Sequence, residues 1–206
     1  MVLFIIVIFV YFRKQMAEQQ LELLSVLVGT KDGYTYGHQE HCAAIANVFY
    51  KNLPKEIRKK INRKRLVKAA RLHDIGKLFI SDTIINKPNN LTDDEYEIIK
   101  QHAAIGAEIL NKTSHTDLSN VAFCHHEWIN GNGYYHVKDE HIPLEAKIIT
   151  ICDAFSALVN NRPYRKGMPI DEALNRIKEA AGTQFDETLV GYFVKINFLE
   201  LISGNV

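Results

Sequence analysis

The stretch Leu72-His73-Asp74-Ile75-Gly76-Lys77 sets an imidazole directly before a carboxylate. Neighbours of these types can reach one metal ion, and the carboxylate keeps a second oxygen with which to bridge to another. In a chain with nine histidines the dipeptide alone says little. Its weight comes from His38, His102, the pair His125-His126 and Asp153, each set in an apolar helical pattern. Asp153 lies among Ile148, Ile149, Ile151 and Phe155. An unpaired carboxylate there would cost several kcal/mol or titrate until neutral, so it needs a cation. A nitrogen-rich donor set with a bridging carboxylate suits Fe, Mn, Zn or Ni better than Mg or Ca, which prefer oxygen. These seven residues are too many for one tetrahedral zinc and suit two octahedral ions sharing Asp74. Two such ions activate a water and clamp the attacking and leaving oxygens of a displacement at phosphorus. Lys77 is placed to neutralise charge growing on the phosphate. Asp74 and Lys77 are therefore the expected catalytic residues of a phosphoester hydrolysis, and the residues do not identify the ester.

Helices must deliver these groups. The spacing predicts helices over 15–28, 37–52, 63–75, 92–110, 118–126, 144–160, 171–181 and 186–198, with a loop over 76–91. Gly29 to Gly33 is expected to break the first, and Pro54 to stop the second. Thr92-Asp93-Asp94-Glu95 reads as a capping box. The helix it opens would turn Ile99, His102, Gly106 and Ile109 inward. No strand pattern, repeat or low-complexity tract is apparent, so the expected fold is all-α.

At 206 residues the chain has room for one domain with a core that needs no disulfide. A net charge of +1 supplies no global field toward nucleic acid, and no DNA partner is expected. The basic run Lys55 to Lys68 interleaves Ile57, Ile61 and Leu66 and reads as a solvated helix face. Cys42, Cys124 and Cys152 form no Cys-x-x-Cys unit, so neither a disulfide framework nor a thiolate zinc site is implied, and the usage suits a reducing cytoplasm. Val2 to Phe12 is an unbroken apolar run followed by Arg13-Lys14. As a helix it covers only about 16 Å, roughly half a bilayer core. Residues 1–14 are read as the end of a transmembrane segment or a short anchor, with a docked helix as the alternative, and residues 15–30 as a stalk through which two copies pair. His115, His136 and His141 are expected in solvated loops and Trp128 in packing. His41 is weighed between a place behind the metal ligands and the surface.

From Asp32 to the C-terminal helix the chain resembles the HD-GYP family, a branch of the HD phosphohydrolases that hydrolyses cyclic di-GMP. The pieces are ordered: Lys31 to His38, Leu72 to Lys77, Ile85-Asn86-Lys87-Pro88, Gln101-His102, His125-His126-Glu127 and Gly131 to Tyr135. Ile142-Pro143, Asp153 to Leu158, Asn161 to Arg165 and Gly182 to Asp186 follow. The resemblance implies an HD-domain helical bundle over 31–206 with additional C-terminal helices, joined to the N-terminal stalk. It implies His38, His73, Asp74 and Asp153 on one ion, and Asp74, His102, His125 and His126 on the other. Fe or Mn is the expected metal, with Zn or Ni as alternatives. Lys77, Arg162 and Arg165 fall where the family contacts substrate phosphate. Tyr34 stands where some members place a glutamate for a third metal, so two ions are expected. The implied reaction opens cyclic di-GMP to linear pGpG, or onward to GMP, in a cytoplasmic domain anchored to the bacterial inner membrane. The alternatives are a degenerate module that binds nucleotide or a partner domain without turnover, and a phosphohydrolase of another nucleotide. The family motif Gly-Tyr-Pro is Gly133-Tyr134-Tyr135 here, its preceding acidic residue is Asn130, and the second aspartate of the Asp153 segment is Ser156. The 131–135 loop is also the expected face for a partner signalling domain.

Overall fold

The computed structural model describes residues 2–31, 35–113, 115–161 and 166–198. Among these the regular elements are all helices, with one isolated bridge between Ala181 and Phe185. The all-α expectation holds. In order come α1 (Val2–Lys31), α2 (Thr35–Asn52), α3 (Lys55–Arg58) and α4 (Arg63–Leu72), then a 3₁₀ turn (Ile75–Phe79) and α5 (Asp82–Ile85). There follow α6 (Asp93–Lys112), α7 (Thr116–Cys124), α8 (Leu144–Val159), α9 (Ile170–Glu179) and α10 (Glu187–Phe193).

Local chemistry starts these helices where the sequence says it should. Thr92 and Glu95 exchange the two bonds of a capping box, at 3.3 and 2.8 Å. The Asn62 side chain accepts from Arg65 N at the head of α4, and Asp186 accepts from Leu189 N at the head of α10. On α2 the buried stripe runs His38, Cys42, Ile45, Phe49, a helical repeat that sends His38 inward with the core. Phe49, Phe155, Phe193 and Phe198 meet at ring-centre distances of 4.6 to 5.3 Å, fastening the C-terminal segment to α2 and α8.

Three expectations need correction. The chain does not break at Gly29: α1 runs unbroken to Lys31, with Val28 and Gly29 buried against the domain. The apolar run and residues 15–31 lie on this one helix. The 76–91 loop holds a 3₁₀ turn and α5, because Asp74 C=O accepts from Lys77 N and Ser81 C=O from Ile85 N. The buried face of α6 is His102, Ala103, Gly106, Ala107 and Leu110, rotated from the expected one and leaving Ile99 and Ile109 half-covered. Phe4 to Phe12 are exposed on every side of α1. No helix among the described residues is long and apolar enough to cross a membrane, so the anchor expectation rests on this run alone.

Candidate metal centre

Five helical segments each bring one piece of the centre. His38 lies in the first turns of α2, and Asp153 midway along α8. His73 ends α4, and Asp74 follows it in the sharp entry to the 3₁₀ turn. His102 sits mid-α6, and His125 ends α7 with His126 next. All are buried or nearly so. One oxygen or nitrogen each from Asp74, His102, His125 and His126 lies within a 4.8 Å span, as does one each from His38, His73 and Asp153.

The two groups meet at Asp74. Its Oδ1 lies 3.3 Å from His102 Nε2 and 3.8 Å from His125 Nε2. Its Oδ2 lies 3.2 Å from His73 Nε2. Asp153 Oδ1 is 2.8 Å from His38 Nε2 and 3.9 Å from His73 Nε2. Each oxygen of Asp74 thus faces a different histidine group.

Backbone carbonyls set the protons of three rings. His73 Nδ1 donates to Ala70 O at 2.8 Å, His102 Nδ1 to Ile99 O at 2.5 Å, and His125 Nδ1 to Ala122 O at 2.6 Å. A carbonyl can only accept, so Nδ1 carries a hydrogen and Nε2, once the ring is neutral, turns a lone pair inward. His102 Nε2 and His125 Nε2 lie 3.2 Å apart. His73 Nε2 and Asp74 Oδ1 are buried without a hydrogen-bond partner. Lone pairs converging on a buried carboxylate require a cation, and these residues fit a divalent metal.

Electrostatics within the side-chain set agrees. Burial pushes Asp74 up, but the Lys77 ammonium and His73 outweigh it and hold the carboxyl well below its usual range. Burial also opposes Asp153, which His38 and His73 bring down. Burial lowers His73, yet Asp74 and Asp153 raise it to about 9. Burial carries His125 down to about 4, and it drives His126 well below its ordinary value. A positive charge is therefore favoured between His73 and the carboxylates.

Lys77 Nζ donates to Asp74 Oδ2 at 2.7 Å, half-buried at the edge of the centre. Arg162 and Arg165 lie outside the described residues, as does Tyr34. The 3₁₀ turn lies hard on α6: a Cβ on Gly76 would come 1.9 Å from His102 O and 2.6 Å from Gly106 N. Glycine at 76 lets Asp74 approach His102.

Other residues take parts around the ligand set, and of the two places weighed for His41 the structure shows the one behind the ligands. Ser156 Oγ lies 2.9 Å from both His38 Nδ1 and His41 Nδ1, and Asn160 Nδ2 is 2.8 Å from His41 Nδ1. His41 therefore stands behind His38. The 38/41 and 156/160 spacings, each one helical turn, were the available signal. Glu127 is buried, and its carboxylate accepts from Tyr135 N at 2.8 Å and Val137 N at 2.9 Å. Its place beside His125-His126 hinted at a role but not at this one. His115 is buried, not solvated: it precedes α7 with Nδ1 at 3.2 Å from Lys68 Nζ. His136 and His141 are exposed as expected. Cys124 and Cys152 are buried free thiols beside ligands, with burial pushing Cys124 up to about 12.

An all-helical bundle with a carboxylate shared by two histidine groups is the architecture of a metal-dependent HD-type domain. A family model described as HD domain matches residues 22–189. A cyclic di-GMP phosphodiesterase of Thermotoga maritima is 33% identical over 180 residues, covering 85% of this chain and 48% of the relative. The 3'3'-cGAMP-specific phosphodiesterase 3 of Vibrio cholerae is 40% identical over 162 residues, covering 78% of this chain and 35% of the relative. Among solved structures, the HD domain of the L. monocytogenes phosphodiesterase PgpH in complex with cyclic-di-AMP aligns at a TM-score of 0.61. That alignment has 23% identity and covers 89% of this chain and 98% of the other, a likeness of fold. The chain belongs to the HD domain family, in its HD-GYP branch. It spans half or less of the length of these two curated relatives.

Proposed function

We infer that this chain is a metal-dependent phosphodiesterase that opens cyclic di-GMP to linear pGpG, or onward to GMP. One observation carries the reading: the Nε2 lone pairs of two histidine groups converge on opposite oxygens of Asp74. The reading assigns His38, His73, Asp74 and Asp153 to one ion and Asp74, His102, His125 and His126 to a second, with Fe or Mn as the metal. When bound, such ions supply Lewis acidity toward a water and a phosphoryl oxygen. The chain's own residues do the rest. Ala70, Ile99 and Ala122 carbonyls orient three rings, and Asp74 presents both oxygens. Lys77, at the edge of the centre, is the cation available to a phosphate there. Arg162 and Arg165 are proposed to bind phosphate beside it. The same reading keeps the 131–135 loop as a partner-domain face and α1 as the element for pairing or membrane contact.

The test is a hydrolysis panel of purified protein loaded anaerobically with Fe(II) or Mn(II), given cyclic di-GMP and 3'3'-cGAMP in parallel. The 40% identity to a cGAMP-specific relative makes the second substrate the decisive comparison. Linear product from cyclic di-GMP, abolished in His73→Ala and Asp74→Ala, is expected. Two equivalents of metal with binding but no cleavage would sink the enzymatic reading in favour of a binding module. Cleavage of cGAMP alone would reassign the substrate.

A further inference from the structure

Gly133-Tyr134-Tyr135, in the segment that joins α7 to α8, lies against the His102 and His126 rings, and its third residue is tied down at three points. The Tyr135 amide donates to Glu127 Oε1 at 2.8 Å. Its hydroxyl donates to Lys100 O at 3.0 Å, and its ring stacks on Phe123 at 4.7 Å and 20°. The three anchors stand beside the ligands: Lys100 two residues before His102, Phe123 two before His125, Glu127 next after His126. The preceding residue uses this frame. The Tyr134 ring lies 4.5 Å from the His126 ring, tilted by 38°, and edge-on to His102 at 6.1 Å. The loop backbone packs directly on Glu127, since a Cβ on Gly133 would lie 2.5 Å from Glu127 Cα.

We propose that Tyr135 is a positioning residue that fixes the Tyr134 ring against His126, and so shapes the wall that substrate meets on the His102–His125–His126 side. The effect on substrate rests on the phosphodiesterase reading above, whereas the effect on Tyr134 does not. Two consecutive loop residues share one peptide plane, so holding the Tyr135 amide and ring restricts where the Tyr134 side chain can point. A residue lacking an amide hydrogen would also leave Glu127 Oε1 buried without its donor. Tyrosine here supplies the donor, a stacking face and a hydroxyl at once.

The test has two readouts. In chelator-treated protein, the His126 ring-proton resonances carry a ring-current shift from Tyr134. Tyr135→Pro and Tyr135→Leu are expected to move them toward the values of Tyr134→Leu, and Tyr135→Phe to move them less. In metal-loaded protein, Tyr135→Leu is expected to raise KM for cyclic di-GMP about tenfold, leaving kcat within about twofold and metal content unchanged. Tyr135→Phe and Tyr135→Leu keep the amide hydrogen, so they decide the matter if Tyr135→Pro fails to fold. Unmoved His126 resonances in Tyr135→Leu would overturn the positioning role. A fall in kcat at constant KM would overturn its place on the substrate side. If the wild type cleaves no cyclic dinucleotide, the functional reading fails while the resonance test still decides what holds Tyr134.

Discussion

Gly76→Ala should damage both the fold and the centre, by an amount the geometry fixes. The added Cβ would lie 1.9 Å from His102 O, against the 3.4 Å at which ordinary contact begins. The obstacle is backbone on both sides, with Gly106 N at 2.6 Å, so no side chain can swing away. The 3₁₀ turn and α6 must part by roughly 1.5 Å, which is overpacking at the severe end and costs about 3 kcal/mol. For a domain of this size that lowers Tm by roughly 6–12 °C. The same parting draws Asp74 from His102, now 3.3 Å apart. Metal ligand distances tolerate only about 0.2 Å, and a misplacement of about 1 Å costs on the order of 100-fold in rate. Loss of bound metal and of activity should therefore accompany the fall in Tm.

Two controls make the argument quantitative. A Cβ on Gly106 meets Gly76 N and Ile75 Cγ2 at 3.3 Å, so Gly106→Ala should cost only about 1 kcal/mol and keep its metal. Gly191 lies on the exposed side of α10 with nothing within 4 Å, so Gly191→Ala should stabilise by about 0.5–1 kcal/mol. Differential scanning calorimetry and metal analysis of the three variants give the order Gly191→Ala above wild type, then Gly106→Ala, then Gly76→Ala. Wild-type Tm and metal content in Gly76→Ala would refute the claim that the glycine exists to admit His102.

The remaining predictions concern protons and neighbours of the ligands. Because His73 is raised to about 9, metal binding at pH 7 should displace its proton, giving about one proton per chain in calorimetry across buffers of different ionisation enthalpy; no buffer dependence would contradict it. In chelator-treated protein the same raised value stabilises fully below pH about 6.5, and urea midpoints should fall as pH rises from there through about 9. Ser156→Ala removes the partner of His38 Nδ1 and should weaken metal binding about 10–100-fold in chelator competition, while Ser156→Asp should tighten it; equal affinities would deny Ser156 any part. Glu127→Gln replaces an acceptor by an amide that cannot serve both Tyr135 N and Val137 N, and should destabilise by about 1–3 kcal/mol in thermal melts.

What the sequence disclosed and what it withheld divide along a physical line. The start of α6 was legible because capping is local: Thr92 and Glu95 act within three residues of themselves, as Asn62 and Asp186 do at the heads of α4 and α10. The inward stripe that carries His38, and the facing of His102 toward the core, followed from helical period alone. Contacts between elements were not legible. Nothing local distinguishes Gly76, pressed on α6, from Gly191, which faces open space. His115 looked like a loop histidine and is buried, in contact with Lys68 of α4, 47 residues away in the chain. The reading of Gly29 as a break failed because a glycine ends a helix only where the fold needs a left-handed turn, and α1 instead passes straight against the domain.

The same division governs Tyr135. From sequence it is a missing proline, hence a loss. In three dimensions the position demands an amide hydrogen for a buried carboxylate, which proline cannot supply. A chain that kept Glu127 in this geometry gains a bond by departing from the motif. The residue therefore bears on how the loop is held, and the metal-binding role proposed for His102, His125 and His126 stands independently of it.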